Sequence, residues 1–224
     1  MTAQITYLFD PFCGWCYAAA PQIARLRAAL GGDAIQALPV GLFLGDGSRP
    51  MSPQFKDYIW NADQRITEMT GQPFSQAYYD GVLSDLDIPL DSEVPTRAFA
   101  VAEMMRPGGG LDLLARMQRA RFVEGRNLLV ADTVFDLAAE LGFDRAEFAS
   151  AFDGPDGVAA MEIMLDNGQA MMGTLKLRGV PALAVRHGDH HHAVTGGPLI
   201  DPAEGLVETL VQRFGDPNAA APAD

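Results

Sequence analysis

The stretch QITYLFDPFCGWCYAAAP, residues 4–21, sets a strand against a helix with two cysteines at the joint. Residues 4–9 are β-prone and mostly apolar, and Asp10-Pro11 ends the run. After the cysteines comes YAAAPQIARLRAAL, built from good helix formers. Ile23, Leu26 and Leu30 make an apolar stripe at helical spacing, and Gly31-Gly32 is a stop. Pro21 falls inside this helix and is expected to kink it. AIQALPV (34–40) follows as a second buried strand. Strand, helix, strand in this order favours a parallel pair joined by a crossover helix.

Cys13 and Cys16 are the only cysteines in the chain. At a helix start, residues three apart lie one turn from each other, so their sulfurs can bond with little strain. Backbone N–H groups and the helix dipole favour negative charge at the first of them, and a cysteine so placed ionises more readily. The thiolate is the attacking species in disulfide exchange. Cys13 is therefore the expected nucleophile and Cys16 the resolving thiol. Gly14 adds no bulk beside Cys13, and Trp15 either packs or offers an apolar surface to a partner.

From about residue 50 to 172 the pattern becomes helical. Ala98, Val101, Ala102 and Met105 share a face, as do Leu111, Leu114, Ala115 and Phe122. Asp132 is expected to cap one helix, Asp144 with Glu147 to form a capping box, and Pro155 to open another. Strands return at PALAV (181–185) and HAVT (192–195), flanking a polar turn RHGDHH. A last helix runs from near Pro202 to about Phe214. The whole order is β-α-β, a helical block, then β-β-α. That is an α/β chain with the thioredoxin topology and a large all-helical insertion between its two halves. The expected division is residues 1–48 with 173–215 as the thioredoxin-like domain, 49–172 as the insertion, and 216–224 as a flexible tail. In that topology Pro181 is expected to be cis beside the active pair, leaving the backbone of Val180 free to pair with an extended substrate.

The motif F-D-P-F-C-G-W-C-Y, the proline Pro21, the inserted helices and V-P-A-L at 180–183 together resemble the DsbA family of thioredoxin-fold proteins. The resemblance is closest to its cytoplasmic FrnE-like branch and runs to about residue 214. It implies thiol–disulfide oxidoreductase or isomerase activity, with the nucleophile at Cys13, its partner at Cys16 and the cis-proline role at Pro181. Trp15, Val180 and Pro181 become the expected substrate-binding residues. No cofactor is implied beyond the redox pair, although glutathione could serve as redox partner. The implied partners are proteins carrying thiols or disulfides, or small thiols.

Other features bound the alternatives. The net charge of -13, from 29 acidic and 16 basic residues, disfavours nucleic acid and anionic membranes as partners. No apolar run approaches the roughly 18 residues needed to span a bilayer. The N-terminus lacks a leader pattern, so a cytoplasmic location is expected. One alternative is a glutathione-dependent transferase or isomerase of small molecules that uses Cys13 alone. Another is half a zinc site completed by His187, His190, His191 and His192, but four ligands are needed and these fall in the expected turn. Asp10 is expected to cap the turn before the cysteines, or else to relay a proton. Met161, Met164, Met171 and Met172 at helical spacing are expected in the core. The arginines of 116–126 are expected on a solvated helix face, or else paired with acidic partners or glutathione carboxylates.

Overall fold

The computed structural model describes residues 4–31, 35–201 and 205–214. The expected tail, 216–224, and the expected helix start at Pro202 lie outside these residues. Strand β1, Gln4–Phe9, is central in a four-stranded sheet of order β2-β1-β3-β4. Its neighbours are β2, Ile35–Pro39, which pairs parallel (Ile5 with Ile35), and β3, Ala182–His187, which pairs antiparallel (Ile5 with Val185). Strand β4, His190–Val194, completes a hairpin with β3. All of β1 after Gln4 is buried, as a strand covered on both faces must be. Ile5, Tyr7 and Phe9 enter the main core, whereas Leu8 joins Leu38 and Ala182 in a second cluster.

Helix α1, Gly14–Leu30, runs through Pro21. Proline has no N–H to give the carbonyl four residues back, and here that carbonyl, Tyr17 O, accepts from Gln72 Nε2 at 3.0 Å. The insertion thus supplies the hydrogen bond that the proline removes.

Between β2 and β3 the chain is helical. The helices are α2 Pro53–Thr70, α3 Gln76–Tyr78, α4 Glu93–Met105, α5 Gly109–Phe122, α6 Ala131–Glu140, α7 Arg145–Asp153 and α8 Pro155–Thr174. A wider π-type turn, Tyr79–Leu83, continues α3. Helix α4 is the insertion's spine, with every residue from Ala98 to Ala102 fully buried. Tyr17 of α1 meets Phe74 and Phe122 at ring separations of 5.3 and 4.9 Å, which ties α1 to the insertion. Two short helices, α9 Gly197–Ile200 and α10 Leu206–Phe214, follow the hairpin.

Two local expectations change. The hairpin turn is only Gly188-Asp189, so His187, His190, His191 and His192 lie in the strands, with His187 opposite His190 and His192 opposite Val185. Gly188 at φ 61° and a following residue of negative φ give the two-residue turn that lets the strands pair to their tips. Asp132 does not cap α6. Val130 holds that position, and the Asp132 carboxylate accepts from Arg145 at 2.7 Å. Asp144 does cap α7, accepting from the Glu147 amide at 2.8 Å, and Pro155 does open α8.

Candidate active site

Cys13 occupies the N-cap of α1 and Cys16 its first turn. The backbone fixes both. Cys13 N donates to Asp10 O at 3.2 Å and Tyr17 N to Cys13 O at 3.1 Å. Both cysteines are free. Cys16 is fully buried and Cys13 is 6% exposed, so the outer thiol is the one a partner can reach. Burial pushes the Cys16 thiol well up, and the neighbouring Cys13 adds to the rise.

The chain returns to this pair at its far end. The Val180–Pro181 peptide bond is cis, as the topology led one to expect. The Cys13 Sγ donates to Val180 O at 3.7 Å. Trp15, Val180 and Pro181 line one groove of about 430 Å3, with Thr195, Gly196 and Ile200. The structure therefore brings Cys13, Cys16, Trp15, Val180 and Pro181 to a single place.

Asp10 caps the turn ahead of the cysteines rather than the helix itself. One carboxylate oxygen accepts from Phe12 N at 2.9 Å. The other accepts from Ser92 Oγ at 2.8 Å and Phe43 N at 3.3 Å. This one buried carboxylate joins the active-site turn, the segment after β2 and the start of α4. Burial raises its pKa although every one of these hydrogen bonds opposes the rise.

A second buried polar group overturns a sequence expectation, that the arginines of 116–126 lie on a solvated face. Arg121 of α5 is 3% exposed, not solvated, and its guanidinium lies 3.8 Å from the centre of the Phe12 ring. Among the described residues its Nε and Nη1 have no hydrogen-bond partner. Asp63 of α2 is equally buried and accepts from the Tyr78 hydroxyl at 3.2 Å. A Cβ added at Gly14 would sit 2.5 Å from Asp63 Oδ1, so the carboxyl packs directly on the active-site motif and needs glycine there. Burial pushes Asp63 up to about 7, against the pull of Tyr78 and Arg121. A basic and an acidic side chain thus bracket Cys13, one over Phe12 and one over Gly14. The sequence did carry a signal: Asp63 shares a helical stripe with Ile59 and Ile66, and Arg121 one with Leu114 and Met117.

The remaining candidates sort by burial. Arg116 pairs with Glu124 at 2.9 Å and Glu140 at 2.6 Å on the surface. Met161 is buried in the core, and Met164, Met171 and Met172 pack against Leu8, Leu38 and Ala182. Among the described residues no group of three or more His, Cys, Asp or Glu is placed to hold a metal ion. No described helix is long and apolar enough to cross a membrane.

Three solved structures place this arrangement among known ones. The cytosolic disulfide reductase DsbM from Pseudomonas aeruginosa is 30% identical over 93% of this chain and 98% of its own, with a TM-score of 0.77. A second structure of DsbM, with GSH, is 29% identical over the same shares, with a TM-score of 0.75. A 2-hydroxychromene-2-carboxylate isomerase, 18% identical over 96% and 99% with a TM-score of 0.61, shares the fold alone. No curated protein sequence matches the chain. The model of the DSBA-like thioredoxin domain matches residues 4–207. Paired thiols at a helix start, the cis-Pro181 segment against them and this match over nearly the whole chain agree: the chain belongs to the DSBA-like thioredoxin domain family of thiol–disulfide oxidoreductases.

Proposed function

We propose that this thiol–disulfide oxidoreductase works in the cytoplasm as a glutathione-driven disulfide reductase, with Cys13 as nucleophile and Cys16 as resolving thiol. The observation that carries the assignment of roles is the difference in burial between the two sulfurs. Cys13 keeps 6% of its surface exposed and its Sγ is directed at Val180 O, while Cys16 has none exposed. Attack by the Cys13 thiolate on a substrate disulfide forms a mixed disulfide and releases one substrate thiol. Cys16, as thiolate, then attacks the Cys13 sulfur, releases the second thiol and leaves a Cys13–Cys16 disulfide. Its high pKa keeps Cys16 protonated until that step. One glutathione thiolate opens this disulfide and a second attacks the resulting mixed disulfide. The sum is one disulfide and two glutathiones converted to two thiols and glutathione disulfide.

The substrate-binding assignment follows the groove. An extended strand laid beside Val180 pairs with its backbone and rests apolar side chains on Trp15 and Pro181. Similarity to a cytosolic reductase, one of whose structures contains GSH, supports both the direction and the partner. The test is covalent. Cys16→Ser, given glutathione disulfide, should accumulate a protein–glutathione adduct visible by intact mass, and Cys13→Ser should accumulate none. An adduct on Cys13→Ser instead would reverse the assigned roles.

A further inference from the structure

The segment Lys176–Val180 joins α8 to β3 and forms one wall of the groove beside Cys13. Its side chains divide by polarity. Leu177 and Val180 pack inward on Leu8, Leu38 and Ala182. Lys176 and Arg178, on either side of Leu177, are left exposed, and both line the groove with Trp15, Pro181 and Thr195. Lys176 has φ 53°, the only positive φ among the described non-glycine residues. Among the described residues neither cation forms an ion pair. In a chain of net charge -13, two unpaired cations at the mouth of the reactive groove set a local field opposite in sign to the rest of the protein.

We propose that Lys176 and Arg178 hold a carboxylate of the thiol that docks beside Val180, and so select anionic thiols over neutral ones. The inference rests on the reductase reading above and adds the chemistry that chooses the reductant. Glutathione carries two carboxylates flanking its cysteine. With its backbone against Val180 and its sulfur at Cys13, one carboxylate has to leave the groove past this wall. The two cations contribute binding and leave the sulfur chemistry to the cysteine pair, so their effect belongs in KM and not in kcat.

The experiment compares three thiols as reductants of the disulfides of insulin: glutathione, its diethyl ester and 2-mercaptoethanol. In Lys176→Gln/Arg178→Gln, KM for glutathione should rise about tenfold with kcat unchanged, since each exposed ion pair is worth a few-fold. Turnover with the ester and with 2-mercaptoethanol should stay at the wild-type level. Added salt should raise KM for glutathione in the wild type and have little effect in the variant. Lys176→Arg/Arg178→Lys should retain the low KM. An unchanged KM for glutathione, or an equal loss with all three thiols, overturns the assignment. A wild type that turns over with no thiol overturns the reductase reading together with it.

Discussion

Replacing Asp63 by asparagine probes the buried charges around the active-site turn. The carboxyl is 5% exposed, with one oxygen against Gly14 and the other on the Tyr78 hydroxyl. Burial pushes it up to about 7. In the unfolded chain an aspartate titrates near about 3.9. Between those values the folded protein holds a proton that the unfolded chain has released. The stability this proton confers is complete below about pH 4, falls as the pH rises through the window, and is gone above about pH 7. Roughly three pH units at about 1.4 kcal/mol each set a ceiling of about 4 kcal/mol. Asparagine keeps the shape and the hydrogen bond without the titration. Urea unfolding at pH 5 and pH 8 should therefore show the wild type losing about 2–3 kcal/mol more than Asp63→Asn between the two. At pH 8 the variant should be the more stable protein. Asp10, whose pKa is also raised, titrates in both proteins and drops out of the difference. Parallel pH profiles for wild type and variant would show that the Asp63 carboxyl holds no proton across this window.

Two further substitutions test packing. Gly14→Ala puts a methyl group 2.5 Å from Asp63 Oδ1 and 3.1 Å from Ile66 Cδ1, so α1 and α2 must part. The cost should be about 1–3 kcal/mol, a fall in Tm of roughly 2–4 °C per kcal/mol in a chain of this size, read by thermal melting. Phe99→Ala removes a fully buried ring that meets Phe9 at 4.8 Å and should cost about 3–5 kcal/mol, whereas Tyr58→Ala, at a residue 65% exposed, should change unfolding free energy by less than about 0.5 kcal/mol.

The sequence exposed the parts of the fold whose cause is local. Residues 4–9 are β-prone and mostly apolar and stop at Asp10-Pro11, and they form β1. The cysteines precede a run of helix formers, and they sit at the start of α1. Val180-Pro181 was legible only through the topology, because a valine before a proline says nothing by itself about what lies opposite. The hairpin histidines were misplaced because polar side chains suggest a turn. Strand pairing is decided by the backbone, and a two-residue turn at Gly188-Asp189 lets both strands run on through them. Asp10 was legible as a cap, but not its bonds to Phe43 and Ser92, which only tertiary folding brings near. Asp63 and Arg121 were missed for a different reason. A charged residue on an otherwise apolar helical stripe is usually assigned to the solvent edge, and nothing local shows that an aromatic cluster will close over it.

The proposed role makes Cys13 and Cys16 a redox pair poised for reduction by glutathione. Its most direct test is the equilibrium reduction potential of that pair, titrated in glutathione buffers with the fluorescence of Trp15 as the signal and Trp60 replaced to isolate it. A single two-electron transition is expected in the range of the glutaredoxins, about −200 to −230 mV. A transition near about −120 mV, the range of a strong disulfide donor, would contradict the reductase direction. Thiols that stay reduced in glutathione disulfide would contradict the redox pair itself.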